Sequence, residues 1–172
     1  MNYYTHYHSP ISELTIASDG SSITGLWLKG QKYYMSEIIG SAEEANNIPL
    51  LLTAKKWLDS YFAGENPNTD GLPLAPAGSD FRKAVWRILL EIPYGECATY
   101  KEVAKQMASK DNRLNLPVRA VGGAIGHNPI SIIIPCHRVI GTDGSITGYA
   151  GGIEKKLHLL AHEGIDISRF KE

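Results

Sequence analysis

Between Glu65 and Gly78 the chain carries Pro67, Gly71, Pro73, Pro76 and Gly78, a density of breakers that neither a helix nor a central strand tolerates. A chain interrupted in this way folds as two pieces. Its 172 residues, 43% apolar and 20% charged, suffice for two small globular domains. The expected division is 1–78 for an N-terminal domain with its linker and 79–172 for the remainder. Apolar runs such as Ile132–Ile134 are far shorter than the roughly 18 residues of a membrane-spanning helix. The opening Met-Asn-Tyr-Tyr lacks the basic-then-apolar pattern of a signal peptide. A cytoplasmic chain without a membrane partner is expected.

Ahead of the break, polar and apolar residues alternate in short runs, with Leu14 and Ile16, then Ile23, Leu26 and Leu28, around an Asp19-Gly20 turn. That pattern predicts an antiparallel meander. Pro49 opens a segment with Leu50, Ala54, Trp57, Leu58 and Tyr61 at helical spacing, and Gly64 is placed to stop it. The N-terminal part therefore reads as a small α/β unit.

Beyond the break the signals are mostly helical. Ser79 or Asp80 caps a helix with Phe81, Val85, Ile88 and Leu89 on one face, ending before Pro93. Thr99 and Glu102 form a capping box for a helix from Tyr100 to about Ala108. Pro117 opens a short helix from Val118 to Ile125, and two short helices in tandem suggest a helix-turn-helix. The Ser109–Asn115 connector is longer than the usual tight turn. In the second helix Ala120, Gly122, Gly123 and Ala124 are small and Arg119 projects from the first turn. Glycine costs a helix about 1 kcal/mol relative to alanine, so the pair serves either close approach to a nucleic-acid groove or tight core packing. The last helix, Ile153 to about Glu163, puts Ile153, Leu157 and Leu160 on a core face.

The net charge of −1 hides an asymmetry. Residues 1–80 hold Lys29, Lys32, Lys55 and Lys56 against nine acids, a balance of −5. Residues 100–140 hold Lys101, Lys105, Lys110, Arg113, Arg119 and Arg138 against Glu102 and Asp111, a balance of +4. Such a segment either binds phosphates or forms a solvated helix face.

Two cysteines, Cys97 and Cys136, make no disulfide framework, and no C-x-x-C is present. The β-branched Ile132–Ile134 predicts a buried strand delivering a Pro135-Cys136-His137-Arg138 turn. There a histidine can act as base for the thiol and an arginine adds positive charge. The imidazole needs a third group to fix its tautomer, and Asp143, Glu154, Glu163 and Asp166 all lie downstream. Cys97 has no adjacent base and reads as a space-filler. His6 and His8 share a strand face without an evident third ligand, so no metal site is assigned. No Walker or G-x-G-x-x-G pattern is present, and no cofactor is expected.

The ordered set Arg119-Ala-Val-Gly-Gly-Ala-Ile125, Asn128-Pro129, Ile134-Pro-Cys-His-Arg-Val-Ile140, Gly148-Tyr-Ala-Gly-Gly152 and Leu159-Leu-Ala-His-Glu-Gly164 resembles the O6-alkylguanine-DNA alkyltransferases, from about Phe81 to Gly164. The resemblance implies a ribonuclease-H-like α/β N-terminal domain and a mainly α C-terminal domain with a winged-helix-like helix-turn-helix. It implies single-turnover transfer of an alkyl group from guanine O6, and less efficiently thymine O4, in double-stranded DNA. A noncatalytic sensor of the same fold is the alternative.

By that resemblance Cys136 is the acceptor, His137 the base acting through a water, and Glu163 its orienting carboxylate. Asn128 links the halves of the helix-turn-helix site, and Tyr100 donates a proton toward guanine N3. Arg119 fills the gap left by the flipped nucleotide, with Ala120 and Gly122 behind it in the minor groove. The Cys136 and Val139 carbonyls accept from the guanine amino group, and Tyr149 lines the pocket. Ala150 stands where some members have a serine, leaving a backbone N–H to meet O6. The N-terminal zinc ligands of some relatives are absent. A monomer is expected.

Overall fold

The computed structural model describes residues 1–36, 38, 42–110 and 116–171. They form two compact units, Met1–Ala77 with Pro129–Ile133, and Gly78–Asn128 with Ile134–Glu172. The sequence-based division kept everything after residue 78 together, whereas 129–133 groups with the first unit.

The first unit is built on a four-stranded sheet in the order β3-β2-β1-β4, from β1 (Asn2–His8), β2 (Glu13–Ser18), β3 (Ile23–Leu28) and β4 (Ala42–Glu44). The β1–β2 and β2–β3 pairs are antiparallel, and β4 adds to β1 in parallel. Helix α1 (Pro49–Phe62) packs on the sheet through Leu51, Ala54, Leu58 and Tyr61. Within α1, Leu51 is buried and the expected Leu50 only partly so. The Pro/Gly stretch is partly tied down: Ile23 N–H donates to Pro73 O at 2.8 Å and Ala75 N–H to Ile23 O at 2.8 Å. Residues 129–133 belong here because Leu26 N–H donates to Pro129 O and Ser131 N–H to Leu26 O, both at 2.9 Å. Ser131 Oγ also donates to Gln31 Oε1 at 3.2 Å.

The strand expected at Ile132–Ile134 is a buried turn. Ile132 has φ 70°, a left-handed backbone costing a β-branched residue about 1–3 kcal/mol, and Ile133 N–H closes onto Ser131 O at 2.8 Å. All three isoleucines are buried. A β-branched run reports burial, which a strand and an inward turn satisfy equally.

In the second unit α2 (Asp80–Leu90), α3 (Tyr100–Lys110) and α4 (Val118–Gly126) pack against one another. Ser79 caps α2 by accepting from Arg82 N–H at 3.2 Å. Thr99 and Glu102 form the expected box on α3, with Glu102 N–H to Thr99 Oγ1 at 3.1 Å and Thr99 N–H to Glu102 Oε2 at 2.8 Å. Trp86 Nε1 ties α2 to α4 by donating to Ala124 O at 2.8 Å. Most of the connector between α3 and α4, residues 111–115, lies outside the described residues. Strand β5 (Ala98–Thr99) pairs in parallel with β6 (Val139–Ile140), and α5 (Ile153–His162) closes the unit. Ile153, expected in the core, is 45% exposed, while Lys156 is fully buried. Cys97 is half-buried against the cluster of Ile140, Ile146, Leu160 and Ile165.

Candidate active site

Cys136 opens a single 3-10 turn, Cys136–Arg138, between Pro135 and β6. Its thiol, the His137 imidazole and the Glu163 carboxylate are all buried. Glu163 sits at the C-cap of α5, which places it against the turn: His137 Nε2 lies 2.6 Å from Glu163 Oε2. A carboxylate accepts here, so Nε2 carries the proton and Nδ1 holds the lone pair. Nδ1 is buried and has no hydrogen-bond partner among the described residues. The ring is thus oriented as a base with its basic nitrogen open. Of the four acids left as partners by spacing, Glu163 fills the position.

Burial pushes the Cys136 thiol up, and the Asn128 side chain and Lys156 ammonium pull it back only in part. Burial likewise pushes His137 down against the opposing bond to Glu163. For Glu163 burial acts upward, but His137 and Arg138 outweigh it and hold the carboxyl well below its usual range. At rest the site therefore favours a neutral thiol beside a neutral imidazole.

Asn128, at the end of the α4 segment, is buried and donates through Nδ2 to Ile134 O at 2.9 Å. It thereby joins the second helix of the tandem pair to the chain entering the cysteine turn. Tyr100, the first residue of α3, donates from Oη to Thr147 O at 3.2 Å. Burial first, then the Cys136 charge, raises its phenol. Tyr149 is buried and Ala150 half-buried. The two carbonyls assigned to the guanine amino group already have internal donors: Cys136 O accepts from Val139 N–H, and Val139 O from Lys156 Nζ. Each keeps one lone pair.

Lys156 was missed by the sequence reading. Its ammonium donates to the Val139 and Thr147 carbonyls and lies 6.0 Å from the centre of the Tyr100 ring. Burial pushes it down to about 8. The available signal was a lysine in register with Leu159 and Leu160 on the apolar stripe of α5. Gly95 was also missed. Its N–H donates to Glu163 Oε1 at 3.0 Å, from a backbone with φ 80° where a Cβ would meet Glu163 O at 3.2 Å.

The outer face of α4 carries Val118, Arg119, Ala120 and Gly123, while Val121, Ala124 and Ile125 face inward. A Cβ at Gly123 would meet nothing, and one at Gly122 only the Tyr100 ring at 3.9 Å. Internal packing therefore demands neither glycine. Lys101 and Lys105 are exposed alongside Arg119. Lys110 pairs with Glu91 at 2.9 Å, Arg113 lies outside the described residues, and Arg138, counted in sequence as a phosphate cation, is buried against Glu163. No group of three metal-ligating side chains gathers among the described residues. His6 instead lies 3.2 Å from Thr15 Oγ1.

A buried cysteine followed by a histidine that is bonded to a buried carboxylate, on the unit that carries the tandem helices, is an arrangement able to activate a thiol. Residues 80–165 match the family model for the 6-O-methylguanine DNA methyltransferase DNA binding domain, and residues 2–76 that for its ribonuclease-like domain. The chain belongs to the 6-O-methylguanine DNA methyltransferase family. The methylated-DNA--protein-cysteine methyltransferase of Haemophilus influenzae is 44% identical over 165 residues, 95% of this chain and 87% of that protein. The Methanosarcina barkeri protein of the same name is 44% identical over 94% of this chain and 96% of its own. Among solved structures, Mycobacterium tuberculosis OGT in complex with DNA superposes with a TM-score of 0.82 at 41% identity, covering 98% of this chain and 94% of that one. No helix among the described residues is long and apolar enough to cross a membrane.

Proposed function

We propose that this chain repairs DNA by direct reversal, moving an alkyl group from guanine O6, and less efficiently from thymine O4, onto Cys136 in a single turnover. The observation that carries the reading is the buried Cys136, His137 and Glu163 set, with His137 Nδ1 the open, basic nitrogen. As the S–C bond forms and the C–O6 bond breaks, the thiol proton passes to Nδ1 through a water. The departing guanine takes a proton, toward N3, from Tyr100. Asn128 holds the thiol's approach, Tyr149 lines the pocket, and the Ala150 N–H meets O6. The free lone pairs of the Cys136 and Val139 carbonyls take the guanine amino group. A thioether is no leaving group under mild conditions, so the protein is consumed.

Double-stranded DNA is the partner, bound through the minor groove by α4. Arg119 fills the stack vacated by the flipped base, and Ala120 and Gly122 allow the backbone close. Flipping costs a few kcal/mol, less for a mispaired lesion. The protein acts as a monomer in the cytoplasm. A sensor that only binds alkylated bases has no use for this thiol, and the alternative is set aside on Cys136.

Intact mass after incubation with O6-methylguanine duplex tests the proposal. One methyl per protein is expected, located on Cys136 by peptide mapping. Several turnovers per protein, or the methyl on Cys97, rejects it.

A further inference from the structure

Arg138 has no part in the relay described above, yet it is the residue most tightly bound to it. Its Nε donates to Glu163 Oε1 at 2.8 Å and its Nη2 to Oε2 at 3.3 Å, so the guanidinium forks across both oxygens. Nη1 donates to Ile92 O at 2.6 Å, and the guanidinium carbon lies 5.7 Å from the centre of the Tyr94 ring. With the Gly95 N–H on Oε1 and His137 on Oε2, the carboxylate is held from three sides.

Orienting an imidazole takes one carboxylate bond, and the fork does two further things. It fixes the carboxylate plane, because bidentate pairing tolerates little rotation. It also sets a full positive charge on the anion that would otherwise stabilise an imidazolium. The charged and titratable groups facing His137 are Glu163, Arg138, Lys156 from α5 and the Cys136 thiol; those facing Glu163 also include Tyr94 and Cys97. Glu163 is the only anion among them at neutral pH, and Arg138 is the cation bonded to it.

We propose that Arg138 is a positioning residue of the relay: its fork holds Glu163 against His137 Nε2 and offsets its charge, so that His137 rests as a neutral base facing a neutral thiol. The inference rests on the roles of Cys136 and His137 given under the proposed function. Its consequence is selectivity in time. A resting thiolate–imidazolium pair reacts with any soft electrophile that reaches it, whereas a neutral pair gives up the thiol proton only as the S–C bond forms.

The test uses the full chain. In wild type, a 15N titration of the His137 imidazole is expected to show a neutral ring protonated at Nε2 at pH 7, and an imidazolium there overturns the proposal. Arg138→Gln and Arg138→Lys are then compared with wild type for Cys136 labelling by iodoacetamide against pH, normalised to the folded fraction from circular dichroism. In Arg138→Gln the profile should move to lower pH, raising labelling at pH 7 by about tenfold, with a smaller move in Arg138→Lys. A merely structural arginine would lower the folded fraction and leave the profile of the folded molecules unmoved; that result in either folded variant overturns the proposal, and the wild-type titration decides if neither folds. Methyl transfer to wild-type Cys136 is measured in parallel. Its absence sinks the proposed function itself, whereas transfer with a resting imidazolium sinks only the role of Arg138.

Discussion

Glu163 accepts from His137, Arg138 and Gly95 at once, so Glu163→Gln changes both the base and its support. Transfer to Cys136 is expected to slow by at least about 100-fold, the scale of lost general-base assistance, while DNA affinity stays near wild type because the carboxylate is buried. Single-turnover rates at saturating duplex beside equilibrium binding check this, and an unchanged rate refutes the relay. Acid titration gives a second expectation. His137 is held below its ordinary 6.5 and Glu163 below 4.5, so in both cases the unfolded chain binds protons first. The stability these two groups contribute is therefore present well above pH 6.5, declines as pH falls through that value on account of His137, and declines again below 4.5 on account of Glu163. Thermal melts from pH 7.5 to 4 should show this, and His137→Gln should flatten the first decline. The Cys-His pair was legible because the two residues are adjacent in the chain. The third member was not, since four acids fit the spacing and only the packing of α5 selects one. Arg138 was read as positive charge beside the thiol and as one of the basic residues of 100–140, and Lys156 was passed over, because a cation's burial depends on carbonyls and carboxylates far away in the chain.

At the level of elements, α4 carries two separable tests. Arg119→Ala should slow repair in duplex DNA far more than transfer from free O6-methylguanine, because only the duplex requires extrusion. If the duplex rate at saturation equals wild type while affinity and salt slope both fall, Arg119 is a phosphate ligand instead. Gly123→Ala tests whether a nucleic-acid groove is the reason for the glycine pair. Its new methyl meets nothing in the protein, so the helix should gain about 1 kcal/mol, while binding to duplex weakens if the backbone lies against a groove. Denaturant melts and duplex titrations on the same variant read both, and unchanged affinity removes the groove from the argument. The helices themselves were legible from local chemistry: a serine cap, a Thr-x-x-Glu box and a proline at a helix start. The turn at Ile132 was not, because its partners, Leu26 and Gln31, are about a hundred positions earlier in the chain.

Across the molecule, a positive balance in residues 100–140 shrinks to a few available cations, since Arg138 is buried and Lys110 is paired. Lys101→Ala and Lys105→Ala should each reduce the salt dependence of duplex binding by about one unit of slope, and a slope unchanged in both would move the DNA contact away from α3. The division into units has a different consequence. Neither is one stretch of chain: five residues shortly ahead of Cys136, Pro129–Ile133, group with Met1–Ala77. A gene fragment starting at residue 79 would thus encode Cys136, His137 and Glu163, yet leave the Pro129 carbonyl without its donor, Leu26 N–H, and the Ser131 N–H and hydroxyl without their acceptors, Leu26 O and Gln31 Oε1. Cutting the gene at the Pro/Gly break therefore divides one folded unit between two fragments.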